Sequence, residues 1–300
     1  MPRSSKPNTA LCRVDWPYAL GLAFYHLVAL LAFWPWLFSW TGLAAALAGQ
    51  YVFGALGISL GYHRLLTHRS FTCPKWLERF LAILGVCCLQ DTPAYWVGVH
   101  RRHHQYSDQS PDPHSPVGGF WWAHVGWLVL PDRELSRLQL YERYAKDLVS
   151  ERFYRNLERS LVYVWINLAQ WVLFFTTGLL IGLATSRADW PASLQFGLSL
   201  LVWGVFVRTV VHLHITWSIN SVTHLWGYRN YDTNENSRNN VLIGLISSGE
   251  GWHNNHHAQP TAAAHGHRWW EFDLTYVTIQ GLQLVGLATK VVPFRAPPPG

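Results

Sequence analysis

The chain has 300 residues, half of them hydrophobic and only 13% charged, well below the roughly 25% charged share of soluble domains. Its 18 Trp residues are typical of side chains that anchor a protein at a membrane interface. The net charge of +6 is modest, and no nucleic-acid-binding motif is visible, so we assign the charge to an anionic membrane surface or an acidic protein partner. Composition therefore argues against a soluble domain and against a nucleic-acid partner.

Four long apolar segments predict four transmembrane helices, because about 20 apolar residues cross the hydrocarbon core of a bilayer. These segments are approximately residues 18–40, 43–62, 161–184 and 192–217. Thr41 and Gly42 form the short break between the first two segments. A further apolar segment, 274–292, is interpreted as a helix packed at the membrane interface, with a fifth span as the open alternative.

The distribution of basic residues predicts the topology. The two short loops between spans carry one basic residue, whereas the N-terminus, residues 63–158 and residues 218–292 carry nearly all the others. The positive-inside rule then places both termini and both polar regions in the cytoplasm. We therefore expect a helical cytosolic cap, built from 63–158 and 218–292, over four spans.

Three histidine clusters carry the strongest chemical signal. They are HRLLTH (His63, His68), HRRHH (His100, His103, His104) and HNNHH (His253, His256, His257). On a helix, the HxxHH spacing puts three imidazoles on one face, where we expect them to converge on one spot. Eight histidines are too many for one tetrahedral zinc ion and suit two metal ions. Asp108 and Glu250 lie close to the clusters and are candidate partners for the outer N–H of a metal-bound imidazole.

Three longer segments surround these clusters: HRLLTHRSF (63–71), HRRHHQYSDQSPDPHSP (100–116) and GEGWHNNHH (249–257). They resemble the three histidine boxes of the membrane fatty acyl desaturases, in the branch of Δ9 acyl-CoA and cyanobacterial-type acyl-lipid desaturases. The similarity extends to FWWAHVGWL (120–128), to NSVTHLWGYRNYD (220–232) and to the four-span layout. It covers the chain from about residue 15 to residue 275.

The resemblance implies an all-α integral membrane protein, a single domain over residues 1–300, whose four spans carry a cytosolic cap with a di-iron site. It implies two Fe2+ ions and nine ligands: His63, His68, His100, His103, His104, His224, His253, His256 and His257. It also implies that Asn220 holds a metal-bound water. Among the histidines outside these positions, His114 is the best candidate for an outer partner of a ligand.

The implied reaction is the O2-dependent insertion of a cis double bond, at Δ9, into a long acyl chain carried as an acyl-lipid or an acyl-CoA. The chain would enter an apolar tunnel, for which the candidate wall residues are Trp96, Trp121, Trp122, Trp217 and Trp252. No fused cytochrome b5 domain is visible, so we expect the electrons from a separate ferredoxin or cytochrome b5-type donor. The expected location is the bacterial inner membrane, with the lipid bilayer itself as a partner.

Three alternatives stay open at this point. A hydroxylase or an epoxidase would use the same scaffold and the same metal ions. A metal transporter would need His or acidic residues at mid-span to line a path, whereas these clusters lie at span ends and in polar regions. A heme protein would need axial histidines in facing spans, for which His26 and either His212 or His214 are the candidates.

Overall fold

The computed structural model describes residues 13–131, 134–185 and 189–296. Within these ranges the chain is helical and contains no β-strand, only three isolated β-bridges. The two chain ends, which are predicted to be cytoplasmic, lie outside the described residues. Four helices are long and apolar enough to cross a membrane, which confirms the prediction of an all-α chain with four membrane-length helices.

The first two long helices are α1 (Trp16–Phe33) and α2 (Trp40–Thr67). The first span was predicted to end at residue 40, but α1 stops at Phe33 because the residue before Pro35 is forced into an extended conformation. The hydroxyl of Ser39 then accepts the Gly42 N–H at 2.9 Å and caps α2. The break predicted at residues 41–42 is therefore inside α2, and the real break precedes Ser39.

The second helix is longer than predicted and carries the first histidine cluster. Its second half, Gln50–Thr67, has i→i+5 hydrogen bonds and is buried from Gly54 onwards, apart from its partly buried residue 56. Arg101 covers the C-terminal end, where its guanidinium donates to Leu66 O at 2.8 Å and Thr67 O at 3.1 Å. His63 therefore lies inside α2 rather than after it.

Six shorter helices follow α2. They are α3 (Lys75–Val86), α4 (Pro93–Tyr106), α5 (Trp122–Gly126 and Trp127–Val129), α6 (Arg137–Tyr144), α7 (Lys146–Val149) and α8 (Arg152–Leu157). α3 packs closely on α2, because a Cβ at Gly61 would lie 3.1 Å from Leu81 Cβ. The charged residues between Arg137 and Leu157 form the three short helices α6, α7 and α8.

The third and fourth long helices are α9 (Leu161–Thr185) and α10 (Trp190–His224). They pack through small residues, so that a Cβ at Gly178 would lie 2.9 Å from Gly197 Cα. α10 runs seven residues beyond the predicted end at 217, and this extension carries Asn220 and His224. The prediction ended the helix there because polar residues begin, but the helix continues in the protein interior, where those residues find partners.

Three short helices complete the described fold: α11 (Val241–Ile246), α12 (His253–Ala258) and α13 (Leu274–Leu284). α13 has 11 residues and a length of about 17 Å, too short for a hydrocarbon core of about 30 Å. It is therefore not a fifth span. The largest buried cluster includes Leu60 and Tyr62 of α2, Leu81 of α3, Val97 of α4 and Tyr154 of α8, and it packs α3, α4 and α8 against α2.

Candidate metal centre

Nine histidines come together from the ends of α2 and α10 and from α4 and α12. Their potential ligand nitrogens form two groups, within each of which all lie within 4.8 Å of one another. The five-histidine group is His63, His68, His100, His104 and His256, and the four-histidine group is His103, His224, His253 and His257. These are the nine histidines that the sequence singles out, and their role as metal ligands remains a prediction.

Each HxxHH motif is divided between the two groups. In α4, His100 and His104 belong to the five-histidine group, whereas His103 belongs to the other. In α12, His253 and His257 share a group and His256 is in the other. The expectation that each motif converges on one spot was therefore wrong. Residues four apart on a helix point almost the same way, whereas the residue three positions along is rotated enough to reach a second centre.

The Nε2 atoms within a group have the spacing of ligands around one ion. The Nε2–Nε2 distances are 3.1 Å for His63 and His256, 2.8 Å for His256 and His104, and 3.0 Å for His104 and His100. In the four-histidine group, His253 and His224 are 3.0 Å apart. Two imidazoles bound at 90° with metal–nitrogen bonds of about 2.1 Å would be about 3.0 Å apart. Both groups can therefore hold a metal ion.

In three of these histidines the second ring nitrogen, Nδ1, contacts a carboxylate. The Nδ1 atom of His63 contacts Glu250, and that of His224 lies 3.2 Å from Asp108. The Nδ1 atom of His103 lies 3.0 Å from Asp112. An Nδ1–H bond to a carboxylate leaves the Nε2 lone pair free for a metal and raises its basicity. Asp108 and Glu250 thus lie where the sequence predicts outer partners, whereas Asp112 was missed.

A second missed carboxylate is Glu235, whose Oε2 lies 3.7 Å from His257 Nδ1. It precedes HNNHH by 18 residues, and no sequence pattern connects the two. Asp112, by contrast, is part of the segment that resembles a histidine box, and its position four residues after Asp108 could have found it. The ring of His265, one of the histidines outside the predicted ligand positions, packs 4.4 Å from that of His256 between centroids.

Glu250 is part of a buried charge network. Arg64, which is fully buried, donates from Nη2 to Glu250 Oε1 at 3.0 Å and from Nη1 to Asp273 Oδ2 at 2.9 Å. Burial would raise the pKa of Glu250, but His63 and Arg64 outweigh it and hold this pKa well below its usual range. The carboxylate is therefore ionised and ties His63 to the core.

The two asparagines of HNNHH fix α12 in place. Asn239 Oδ1 accepts the N–H groups of Asn254 and Asn255 at 3.0 and 3.2 Å, which satisfies two free donors of the first helical turn. The side chain of Asn255 donates to Glu271 at 2.7 Å and accepts from Asn230 at 2.8 Å. A six-residue helix is not stable alone, so these side-chain contacts position its three histidines.

Burial keeps most of these imidazoles neutral. It lowers the pKa well below the ordinary 6.5 for six histidines, and neighbouring imidazoles lower it further: His68, His100, His104, His253, His256 and His257. Burial also lowers the pKa of His103, but Asp112 outweighs burial and raises it overall. Neutral imidazole is the form that binds a metal. The Nε2 atom of His68 is buried without a hydrogen-bond partner among the described residues, as expected of a group that requires an ion.

Two narrow cavities flank the histidines. They share four lining residues: Trp96, His100, Thr216 and Asn220. Tyr18 and Leu22 of α1 line the first cavity, and the lining of the second includes His63, His253, Gln50, Gly54 and His212. Asn220 therefore lies beside the histidine groups, and its link to a metal through water remains a prediction.

Two of the five predicted tunnel tryptophans line these cavities, namely Trp96 and Trp217. Trp121 faces outward and is 72% exposed. The ring of Trp252 is buried elsewhere and donates to Phe272 O at 2.8 Å. Trp122, which is half-buried, lines neither cavity. These three positions are therefore corrections: closeness to a histidine cluster in sequence does not set the direction of a side chain.

Three of the remaining histidines, His114, His26 and His214, belong to neither histidine group. His114 stacks beside His103, with ring centroids 4.3 Å apart, and lies 3.9 Å from Asp112. His26 and His214 bond directly to each other through their Nε2 atoms at 3.1 Å. A heme iron and its macrocycle would not fit between these two nitrogens, so they are not an axial pair. His26 instead bonds between helices, and the histidine groups lie at helix ends rather than along a transport path.

The comparisons with known proteins agree with this geometry. The family described as fatty acid desaturase matches residues 34–282. The chain is 42% identical to the sn-1 stearoyl-lipid 9-desaturase of Anabaena variabilis over 288 residues, 96% of each chain. It is 41% identical to the sn-2 palmitoyl-lipid 9-desaturase of Nostoc sp. (strain 36), over 96% of this chain and 93% of the relative. It is also 41% identical to the acyl-CoA C20 Delta5-desaturase of Anemone leveillei, over 89% and 78%.

The chain belongs to the fatty acid desaturase family, and the family prediction is confirmed. Membership makes it an oxidoreductase of fatty acyl chains. A lipid-linked Δ9 relative and an acyl-CoA Δ5 relative have the same sequence identity to the chain, 41%. Sequence identity alone therefore does not distinguish the group that carries the acyl chain or the position of the double bond.

Proposed function

We propose that this protein is a membrane-bound, O2-dependent desaturase that inserts a cis double bond at Δ9 into a long saturated acyl chain. The observation that carries the proposal is the position of the two histidine groups beside two connected apolar cavities. The Δ9 position is taken from the names of the two lipid 9-desaturases that match nearly the whole chain. The proposed domain is a single unit over residues 1–300.

The two histidine groups would each hold one iron ion. Imidazole ligands suit iron, and the neutral imidazoles and the unpartnered His68 Nε2 support this assignment. When bound, the two irons would supply the chemistry that activates O2. The overall reaction removes two hydrogen atoms from adjacent methylenes and, with two electrons and two protons from outside, converts O2 to two molecules of water.

The residues between the two cavities would position the acyl chain. Trp96 Nε1 donates to Gln90 Oε1 at 3.1 Å, and Gln90 Nε2 donates to Thr216 Oγ1 at 2.8 Å. These bonds hold three side chains rigidly at the junction of the cavities, directly beside His100. A chain that passes from one cavity to the other would be held there in one orientation beside His100.

The electrons would come from a separate ferredoxin or cytochrome b5-type donor that docks on the cap. Basic residues are concentrated in the cap and at the N-terminus and are almost absent from the short loops between the four membrane-length helices. By the positive-inside rule, this distribution supports a cytoplasmic cap and cytoplasmic termini. An acidic donor would be attracted by this charge. We propose the bacterial inner membrane as the location.

Expression in a bacterial strain that requires unsaturated fatty acids tests this function. We expect growth without supplement and a Δ9 cis-monounsaturated chain, with the double bond located by mass spectrometry of its derivatised products. The double variant His256→Ala/His257→Ala, which loses one histidine from each group, is the matched control and should give no product. A hydroxylated or epoxidised chain would instead identify the rival chemistry on the same scaffold.

A further inference from the structure

A third cavity opens between the first and third long helices. Its apolar lining includes Pro17 and Leu22 from the start of α1 and Val164 from the start of α9. Pro17 and Val164 are exposed at its rim. Both helices are membrane-length, so the gap between them faces the lipid; we call it the lateral mouth. α1 begins at the cap, because Asp15 N donates to Val129 O of α5 at 2.8 Å.

The lateral mouth leads to the metal centre. It shares four lining residues with the first cavity: Tyr18, Leu22, Leu89 and Asp91. That cavity in turn reaches His100 and Asn220. One route therefore runs from the gap between α1 and α9, past Tyr18 and Leu22, to the five-histidine group and on into the second cavity.

The charged side chains at the lateral mouth disfavour a polyanionic substrate. Arg137 donates to Asp91 Oδ2 at 3.2 Å and to Glu158 Oε2 at 3.3 Å, and the hydroxyl of Tyr18 donates to Asp91 Oδ2 at 3.0 Å. Two carboxylates against one guanidinium give these three charged side chains a net charge of −1. The phosphates of coenzyme A would be repelled there, whereas an uncharged or zwitterionic headgroup would not.

We propose that the lateral mouth admits one acyl chain of a membrane glycerolipid whose headgroup is uncharged or zwitterionic. This inference rests on the proposed function and adds the carrier of the acyl chain. A diacyl lipid cannot leave the bilayer without exposing its second chain to water, which the hydrophobic effect opposes. An entrance between two spans lets one chain enter while the headgroup and the second chain remain in the membrane.

Gly21 offers a way to close the entrance without disturbing the packing. A Cβ added at Gly21 meets no atom within 4 Å, so the ring of Gly21→Phe has room to occupy the mouth. Gly281, on α13, is the matched control, because a Cβ there also meets no atom and the residue lines none of the three cavities. Both substitutions replace a helical glycine and affect helix stability similarly.

The assay uses iron-loaded protein, supplied with chemically reduced ferredoxin, in two kinds of vesicle. One kind contains distearoyl phosphatidylcholine, and the other contains unsaturated lipid with added stearoyl-CoA. For the lipid-linked chain we expect Gly21→Phe to lower turnover at least tenfold at unchanged iron content, and Gly281→Phe to change it less than twofold. Turnover of stearoyl-CoA but not of the lipid by the unaltered protein would overturn the inference, as would full lipid turnover by Gly21→Phe.

A binding readout separates this inference from the proposed function. Phosphatidylcholine with a photoreactive diazirine on its acyl chain should label the peptide that contains Leu213, Thr216 and Asn220, which line the first cavity. Gly21→Phe should abolish this labelling and Gly281→Phe should not. If labelling follows this pattern but no substrate is desaturated, the function is wrong and the entrance stands. If the peptide is labelled equally in all three proteins, the entrance is wrong.

Discussion

The carboxylates that support the two histidine groups are themselves bound by different partners. In the five-histidine group, Glu250 lies between His63 and the buried guanidinium of Arg64, so that its charge is balanced within the core. In the four-histidine group, the nearby carboxylates are bound instead by backbone amides: Asp112 Oδ2 accepts from Asp108 N at 2.9 Å, and Asp108 Oδ2 accepts from Asn236 N at 2.7 Å.

Because of this difference, we expect one support to contribute mainly to the stability of the fold and the other mainly to metal binding. The five-histidine group shares its carboxylate with the network that joins α2 to the loop before α13, through Arg64 and Asp273. The four-histidine group has carboxylates near three of its imidazoles, which increase electron donation to a bound cation. We therefore expect damage to the first support to unfold the cap and damage to the second to weaken metal binding while the fold persists.

The largest effect is expected from the loss of one histidine in either group. His256→Ala and His253→Ala should each remove a ligand, lower the bound iron from two per chain to about one, and reduce turnover by more than the roughly 100-fold typical of an outer-partner loss. Iron content by plasma emission and product by gas chromatography check this. His267→Gln, a buried histidine outside both groups, should keep its iron and more than half of its activity. Equal iron loss in all three variants would contradict the assignment.

The second prediction compares the two carboxylates directly. Glu250→Gln leaves Arg64 less balanced in the core, and we expect a loss of about 3–5 kcal/mol in stability, because a buried charge loses its partner. Asp112→Asn should instead lower iron affinity about 10–100-fold with a small change in unfolding temperature. Thermal unfolding and iron titration in detergent measure both quantities. The comparison fails if Asp112→Asn is the less stable variant.

Much of this arrangement could be predicted from the sequence. Long apolar runs predicted the four membrane-length helices, and HxxHH predicted two helical faces rich in histidine. The end of α1 could have been placed better, since Pro35 and the cap residue Ser39 were both visible. The continuation of α10 to His224 could not be predicted from the apolar pattern. Polar residues in a helix are stable there only when the tertiary structure supplies partners.

The division of the histidines into two groups depends on tertiary structure. Spacing fixes where His100, His103 and His104 point relative to one another, but not which of them faces α12 or the end of α10. The contact between Glu235 and His257 has the same origin, since it joins a loop to a helix that packs beside it. Local patterns identify the ligand types, and long-range packing decides how they are shared.

Acid should affect His100 and His103 with opposite signs. Burial lowers the pKa of His100, so below pH 6.5 the unfolded chain binds a proton that the folded chain does not, and stability falls by about 1.4 kcal/mol at pH 5.5 for such a residue. The pKa of His103 is raised, so its contribution is fully present below pH 6.5 and is lost as pH rises through the folded-state value. In metal-free protein, His100→Gln should therefore make acid destabilisation shallower and His103→Gln should make it steeper. Unfolding curves at pH 7.5 and 5.5 measure the slopes, and a change of the same sign in both variants would refute the contrast.

The smallest effect is expected at His114, which tests how far the support of the four-histidine group extends. Burial and the neighbouring His103 lower the pKa of His114 to about 3, so its ring is neutral and packs as a flat surface on His103. The bond from His114 N to Asp112 Oδ1, at 3.2 Å, uses the backbone and survives substitution. His114→Phe should therefore keep its iron, lose less than about 1 kcal/mol of stability and retain turnover within about threefold. Iron affinity as low as that of Asp112→Asn would instead show that the imidazole of His114, and not the carboxylate alone, orients His103.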